Sequence, residues 1–372
     1  LMSDKNTGAL LASPEIDEGF TQCGRYAYCW GRDGAFITTA LNEAGLYNDS
    51  ERFYEWAVRV QDNEGFWHQR YHMNGNIAPS WGIQIDETGS ILYGMWNHFL
   101  YVKNIGFLEK VWPSVLKACM FLERFIDSDT GLPLPSFDIW EERMGEHTYS
   151  TAAVIAGLYA AANMAECLGA SKKTIDHWRG IADNIKKALE ENLVDEENGV
   201  FFRSVRTKLN PWGNEPTSNT VVIKVNPKGY TREVSAVDGK MDISLLGPAI
   251  PFGIFEPGHP LVRNTAEKIE KTLYCEKAGG IYRYHEDNYA GGNPWIVSTL
   301  WLALYHIKTG NIGKAREYFH WCVKGATHLG FLPEQVDNND RKPCWVIPLT
   351  WSHAMFVLAL KGLIGNGGIG QP

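Results

Sequence analysis

The stretch TYSTAAVIAGLYAAANMAECL (148–168) is apolar or small on nearly every face, and KKTIDHWRGIADNIKKALEENL (172–193) follows it after a short turn. In the second segment Ile175, Trp178, Ile181, Ile185 and Leu189 recur at three- and four-residue steps with charge between them. A helix that is apolar all round has to be buried, while one with a single apolar stripe lies outside a core. The pair therefore reads as an inner helix followed by an outer one. The alternation recurs near the other end, where WIVSTLWLALYHI (295–307) is buried in character and 312–323 mixes Ala315, Tyr318, Phe319 and Cys322 with charge.

Helix-period runs also occupy 33–46, 51–62, 88–104, 107–126, 243–248, 262–275 and 351–363, and the opening LMSDKNTGALLA looks like the inside of another helix. About twelve helical segments result, and hairpins that alternate inner and outer close into a toroid. The expected fold is all-α, an (α/α)6 barrel. Between 198 and 236 the pattern changes to β-branched runs, Phe201–Val205 and Thr220–Val225, separated by Asn210–Pro216. That reads as a small β-hairpin insertion at the rim. No Ser/Gly/Pro-rich linker divides the 372 residues, so 1–372 is expected to be a single catalytic domain.

Composition excludes several classes. The net charge is −8 and no Lys/Arg run occurs, which argues against a nucleic-acid partner. No apolar stretch reaches the roughly 18 uncharged residues of a membrane span. Cys23, Cys29, Cys119, Cys167, Cys275, Cys322 and Cys344 are scattered without CxxC spacing and read as reduced core residues, which together with the lack of a visible signal peptide suggests a cytoplasmic protein. His68 and His72 stand four apart but lack the HExxH glutamate, and the DSDTG run at 127–131 is followed by Leu and Pro where a calcium loop needs ligands. Neither metal nor cofactor is expected.

Chemistry is concentrated in irregular stretches between helices. Asp138, Trp140, Glu141 and Glu142 lie on a Pro-punctuated loop before the 148–168 helix, and Trp30, Arg32 and Asp33 close an aromatic-rich loop. Trp81, Gln84 and Asp86 mark a third loop, Arg283 to Trp295 a fourth, and Glu334 a fifth before the last helix. The plain structural alternative is that such acids serve helix dipoles and such aromatics fill the core. Their convergence at one end of a toroid favours function. Two carboxylates facing one polar pocket are what glycoside hydrolysis needs, one protonated to meet the leaving oxygen and one ionised to activate water.

Taken together, YAYCWGRD (26–33), DIWEE (138–142), RYHEDNYAGGNPW (283–295), and PEQ (333–335) before LTWS (349–352) resemble glycoside hydrolase family 15, which holds glucoamylases, glucodextranases, isomaltose-cleaving glucohydrolases and some trehalases. The resemblance covers nearly the whole chain. It implies an (α/α)6 barrel and an exo-acting, inverting enzyme that releases β-glucose from a non-reducing α-linked end of an oligosaccharide. Position by position it implies that Glu141 is the general acid, Glu334 the general base, and Tyr26 a holder of the attacking water. Arg32 and Asp33 match the pair that grips the terminal glucose, Arg283 and Glu142 match sugar-contacting residues, and Trp30, Trp140 and Trp295 match the aromatic walls. WGIQIDETG (81–89) departs from the fungal members and looks prokaryotic, with Trp81, Gln84 and Asp86 expected at the substrate. Glu146 and His147 have no counterpart in the pattern and are expected to cap the following helix. Prokaryotic relatives often carry an N-terminal β-sandwich domain, so this chain reads as a single-domain member or as one that lacks an upstream part.

Two rival classes stand beside a trehalase. A disaccharide phosphorylase on the same fold would use phosphate and needs no base, which the Glu334 stretch argues against. A carbohydrate-binding sensor would have lost one of the glutamates, and both are present.

Overall fold

The computed structural model describes residues 2–16, 26–208, 219–225 and 228–366. Apolar periodicity becomes ten α-helices among them: α1 (Gly31–Glu43), α2 (Tyr47–Val60), α3 (Ile85–Val102), α4 (Ile105–Arg124), α5 (Thr148–Cys167), α6 (Lys172–Asn192), α7 (Pro260–Leu273), α8 (Ile296–Lys308), α9 (Ile312–Lys324) and α10 (Thr350–Gly365). The inner ring runs α1 on α3, α3 on α5, α5 on the 3₁₀ turn Ile243–Leu246, that turn on α8, α8 on α10, and α10 back on α1. Closure is thus visible in the packing. Helices α2, α4, α6, α7 and α9 back this ring from outside, which makes the chain an (α/α)6 barrel.

Burial follows from composition. Sixteen residues of α5 are buried, whereas α6 buries Ile175, Trp178, Ala182, Ile185, Ala188 and Leu189 along one stripe. Gly89 and Gly157 let α3 and α5 meet backbone to backbone, since a Cβ at Gly89 would stand 2.3 Å from the Ala153 carbonyl oxygen. No side chain fits there. Trp301, fully buried on α8, donates its indole N–H to the Ile250 carbonyl at 2.7 Å. Truncating it to Ala would cost about 3–5 kcal/mol.

The strands are β1 (Ser136–Phe137), β2 (Met144–His147), β3 (Val194–Asp195), β4 (Val200–Phe201), β5 (Ser204–Lys208), β6 (Thr220–Lys224), β7 (Thr231–Asp238), β8 (Gln335–Val336) and β9 (Pro343–Cys344). Five of them form one antiparallel sheet in the order β1-β2-β5-β7-β6. The expected two-run hairpin is therefore corrected. The 201–205 and 220–225 runs do not pair with each other, because β7 lies between β5 and β6, and the separator Asn210–Pro216 lies outside the described residues.

Three further readings change. Residues 2–16 hold no helix but a bridge between Ser3 and Leu10 around Gly8, whose φ of 86° suits glycine. The 243–248 segment is a short 3₁₀ turn rather than an α-helix, capped by Asp242. Of the cysteines, Cys29, Cys119, Cys275 and Cys322 are buried as expected, but Cys167 is exposed and Cys344 half-buried; Cys23 lies outside the described residues. The DSDTG run is a turn in which Asp127 accepts from the N–H groups of Asp129 and Thr130. Among the described residues no helix is long and apolar enough to cross a membrane.

Candidate active site

Every inner element begins at the same end of the barrel, and the residues inside its first turn or on the loop that leads to it form the site. Trp30, Arg32 and Asp33 open α1, Gln84, Asp86 and Glu87 open α3, and the 138–142 loop precedes α5. Asp242 precedes the 3₁₀ turn, Trp295 precedes α8, and the Glu334 strand region precedes α10.

Asp138 builds the loop that carries two of the carboxylates. Its side chain accepts from the N–H groups of Glu142 (2.7 Å) and Arg143 (3.1 Å), and its carbonyl accepts from Glu141 N–H at 3.0 Å. Asp138 therefore closes this turn and does not serve the start of the next helix, as the plain alternative would have it. Although burial opposes ionisation, His147, Arg143 and the two N–H donors hold the Asp138 carboxyl below its usual range. Glu141 follows with a left-handed φ of 65°. Its Oε1 accepts from the Trp30 indole at 2.6 Å and its Oε2 from the Trp81 indole at 3.2 Å, with Arg70 Nη1 at 3.9 Å. Glu142 is held by Arg283 (3.0 Å), Tyr284 (2.7 Å) and Arg143 (2.8 Å).

Glu334 is almost fully buried. Tyr26 donates to its Oε1 at 2.8 Å and Gln335 to its Oε2 at 3.1 Å. Burial pushes its carboxyl up to about 7, with Tyr26, Arg283 and Gln335 pulling partly back. A carboxyl tuned toward neutrality in a polar cleft is poised for proton transfer. Tyr26 and Trp30, four residues apart with rings 6.2 Å from each other, each hold one of the two glutamates. That single short segment joins the two sides of the site.

The floor is a cluster of four charges. Arg32 Nη1 stands 3.0 Å from Asp86 and 3.1 Å from Glu87, and Nη2 stands 3.5 Å from Asp33. Burial pushes the Asp33 carboxyl up to about 6, while Arg32 opposes the rise. Arg32 Nε, Asp33 Oδ1, Asp86 Oδ1 and Gln84 Oε1 are buried without a hydrogen-bond partner. Such a set of donors and acceptors suits a hydroxyl-rich ligand. Arg283 lies over the rings of Trp140, Tyr289 and Trp295 at 5.2, 4.7 and 4.7 Å, and forms a two-pronged pair with Asp287. Trp140 and Trp295 meet edge to face at 5.9 Å, so aromatic faces line one wall.

All thirteen expected site residues thus join one hydrogen-bonded and aromatic constellation. Gln84 donates to the Asp138 carbonyl, which makes it a loop anchor as well as a pocket residue. Sequence reading missed Arg70, Glu87, Asp242, Tyr284, Asp287, Tyr289 and Trp345. Asp287 and Tyr289 sat inside the quoted 283–295 stretch, and Asp287 follows Arg283 by four, a spacing that could have flagged the pair. Arg70 and Asp242 gave no local signal. The capping expected of Glu146 and His147 does not occur: Glu146 pairs with Arg206 at 3.3 Å, and the His147 ring faces the carbonyls of Ser136 and Arg143. His68 pairs with Asp62, and His72 packs on Tyr28.

The profile of a family described as Glycosyl hydrolases family 15 matches residues 1–361. A protein of Methanocaldococcus jannaschii described as an uncharacterized glycosyl hydrolase is 32% identical over 371 residues, which cover 96% of this chain and 53% of that protein. Isomaltose glucohydrolase of Kribbella flavida is 26% identical over 365 residues, 89% of this chain and 83% of the relative. A bacterial glucoamylase solved with acarbose superposes with a TM-score of 0.77 at 24% identity, over 98% of this chain and 54% of the other. The chain spans about half the length of the first and third of these.

Proposed function

The chain belongs to glycosyl hydrolases family 15, and we propose that it is an exo-acting, inverting α-glucosidase that removes terminal glucose from short α-linked gluco-oligosaccharides as β-glucose, with residues 1–372 acting as one catalytic domain. The observation that carries this reading is the pair of glutamates anchored from one segment, Glu141 by Trp30 and Glu334 by Tyr26. In this reading Glu141 protonates the departing oxygen. Glu334 takes a proton from a water held by Tyr26, whose hydroxyl donates to the carboxylate and keeps a lone pair for that water. The water attacks the anomeric carbon from the face opposite the leaving group, the glycosidic bond breaks, and the configuration inverts. Arg32, Asp33, Gln84 and Asp86 grip the terminal glucose, Glu142, Arg283 and Trp81 contact the sugar, and Trp30, Trp140 and Trp295 form the walls. Inversion requires the two carboxyls to stand about 6.5–9.5 Å apart with substrate between them.

A coupled glucose assay on maltose, isomaltose and trehalose, with proton NMR of the first product, tests the proposal. Initial β-glucose supports it; initial α-glucose overturns the inverting mechanism. Glucose 1-phosphate formed only with added phosphate would move the chain to the phosphorylase class, and trehalose as the one substrate cleaved would make it a trehalase. Sugar binding without turnover would mark a sensor.

A further inference from the structure

The first turn of α1 carries Arg32 and Asp33, yet its N-cap residue Trp30 makes no side-chain cap, which leaves the N–H groups of that turn to find partners elsewhere. Arg32 N–H finds Glu87, whose Oε2 accepts at 2.6 Å from across the α1–α3 seam. The other oxygen of the same carboxylate faces Arg32 Nη1 at 3.1 Å. One side chain therefore meets Arg32 twice, by a hydrogen bond to its backbone N–H and by an ion pair with its guanidinium in which Oε1 makes no directed hydrogen bond. Gly31 permits the approach, because a Cβ there would stand 2.6 Å from Ile91 Cδ1 and 3.0 Å from Glu87 Oε2.

Glu87 is fully buried, and burial pushes its carboxyl well above the usual range while Arg32 opposes the rise. A neutral Gln could satisfy the N–H without the desolvation of a buried anion. What the carboxylate adds is a hold on Nη1. With Nη1 engaged by Glu87 and Asp86, the unpartnered Nε and the Asp33 side of the guanidinium remain for a ligand.

We propose that Glu87 is a positioning residue for the terminal glucose, fixing Arg32 from both ends so that its free N–H groups meet the sugar. This rests on the functional reading above. It predicts that Glu87→Gln raises both KM for an α-glucoside and Kd for glucose, by about tenfold, the scale of one buried ion-pair contact that orients a binding group, while kcat changes less. Glu87→Asp, which keeps the charge but is one methylene shorter, should shift binding in the same direction. In an Arg32→Lys background, Glu87→Gln should add little, because both act on one contact. Glucose titration calorimetry and steady-state kinetics on wild type and the variants read these outcomes, and thermal melting confirms that each is folded. Wild-type Kd in folded Glu87→Gln or Glu87→Asp, or effects of Arg32→Lys and Glu87→Gln that multiply, would reduce Glu87 to a helix cap and overturn the proposal while leaving the hydrolase reading intact. A wild-type protein that neither releases nor binds glucose overturns both.

Discussion

Outer helices α6, α7 and α9 start on Ser171, His259 and Asn311, whose side chains accept from Thr174, Leu261 and Lys314 N–H groups. Inner helices α1, α3, α5, α8 and α10 start on Trp30, Gln84, His147, Trp295 and Leu349, and none of these caps its own helix. The outer helices α2 and α4 also lack a side-chain cap, so the contrast holds for three of five outer helices. Where the cap is local, the helix end is finished by its own sequence and takes no part in chemistry. At the inner ends the first N–H groups find partners outside their own helix, Arg32 on Glu87 and Ile296 on the Glu334 carbonyl, and the positive dipole ends point toward the gathering of Asp33, Asp86, Glu141 and Glu334. One end of the ring is thereby reserved for anions and polar ligands.

Substitutions at the two kinds of helix entrance should separate activity from stability. Largest is Glu334→Gln, which should lower kcat by about 10²–10⁴-fold and leave glucose binding largely intact, as measured by turnover and titration. Wild-type turnover would remove Glu334 from the mechanism. Glu141→Gln should be comparably damaging on a disaccharide but milder on an aryl glucoside whose leaving group departs without a proton. Equal losses on both substrates would refute the acid role.

The next effect is in pH. Glu334 has to be ionised to accept a proton, and its carboxyl is pushed up to about 7, so kcat/KM should rise with pH through a limb near neutrality. Tyr26→Phe removes a donor to the carboxylate, so the limb should move further up and kcat should fall. For stability the sign is opposite. A raised carboxyl pKa means that the folded state favours the neutral acid, a contribution fully present below the unfolded value near 4.5 and lost as pH rises through about 7. The melting temperature should therefore drop across that window, less steeply in Glu334→Gln; an unchanged slope would mean that other groups, such as Glu146, carry it. Smallest is Ser171→Ala at an outer entrance, expected to cost about 0.5–2 kcal/mol in denaturant unfolding with kinetic constants unchanged.

The same contrast explains what could be read from the chain alone. Outer helices announce themselves through stripes such as Ile175, Trp178, Ile185 and Leu189, and inner ones through the apolar run of α5, so most boundaries fall within a few residues of expectation. The 3₁₀ turn at Ile243–Leu246 was harder, because a single turn has too few residues to show a period. Strand order was hidden as well, since nothing in 201–205 or 220–225 says that β7 separates them. At the site, loop carboxylates beside tryptophans were visible. Glu87 was not, because a glutamate in the first turn of a helix ordinarily looks like a dipole partner, and its hold on Arg32 crosses from α3 to α1.

Trp81 has a use that none of the other rings shares. Among the described tryptophans it alone is exposed, at 58%, while its indole N–H still reaches Glu141. A fluorophore so placed reports on the mouth of the pocket. Selective excitation of tryptophan should show a component that is open to iodide quenching in the free protein and shielded when glucose or an oligosaccharide occupies the site, with Trp81→Phe removing that sugar-shielded component. The molecule thus carries its own optical gauge of occupancy, and rapid-mixing fluorescence could time sugar entry and product departure without a label.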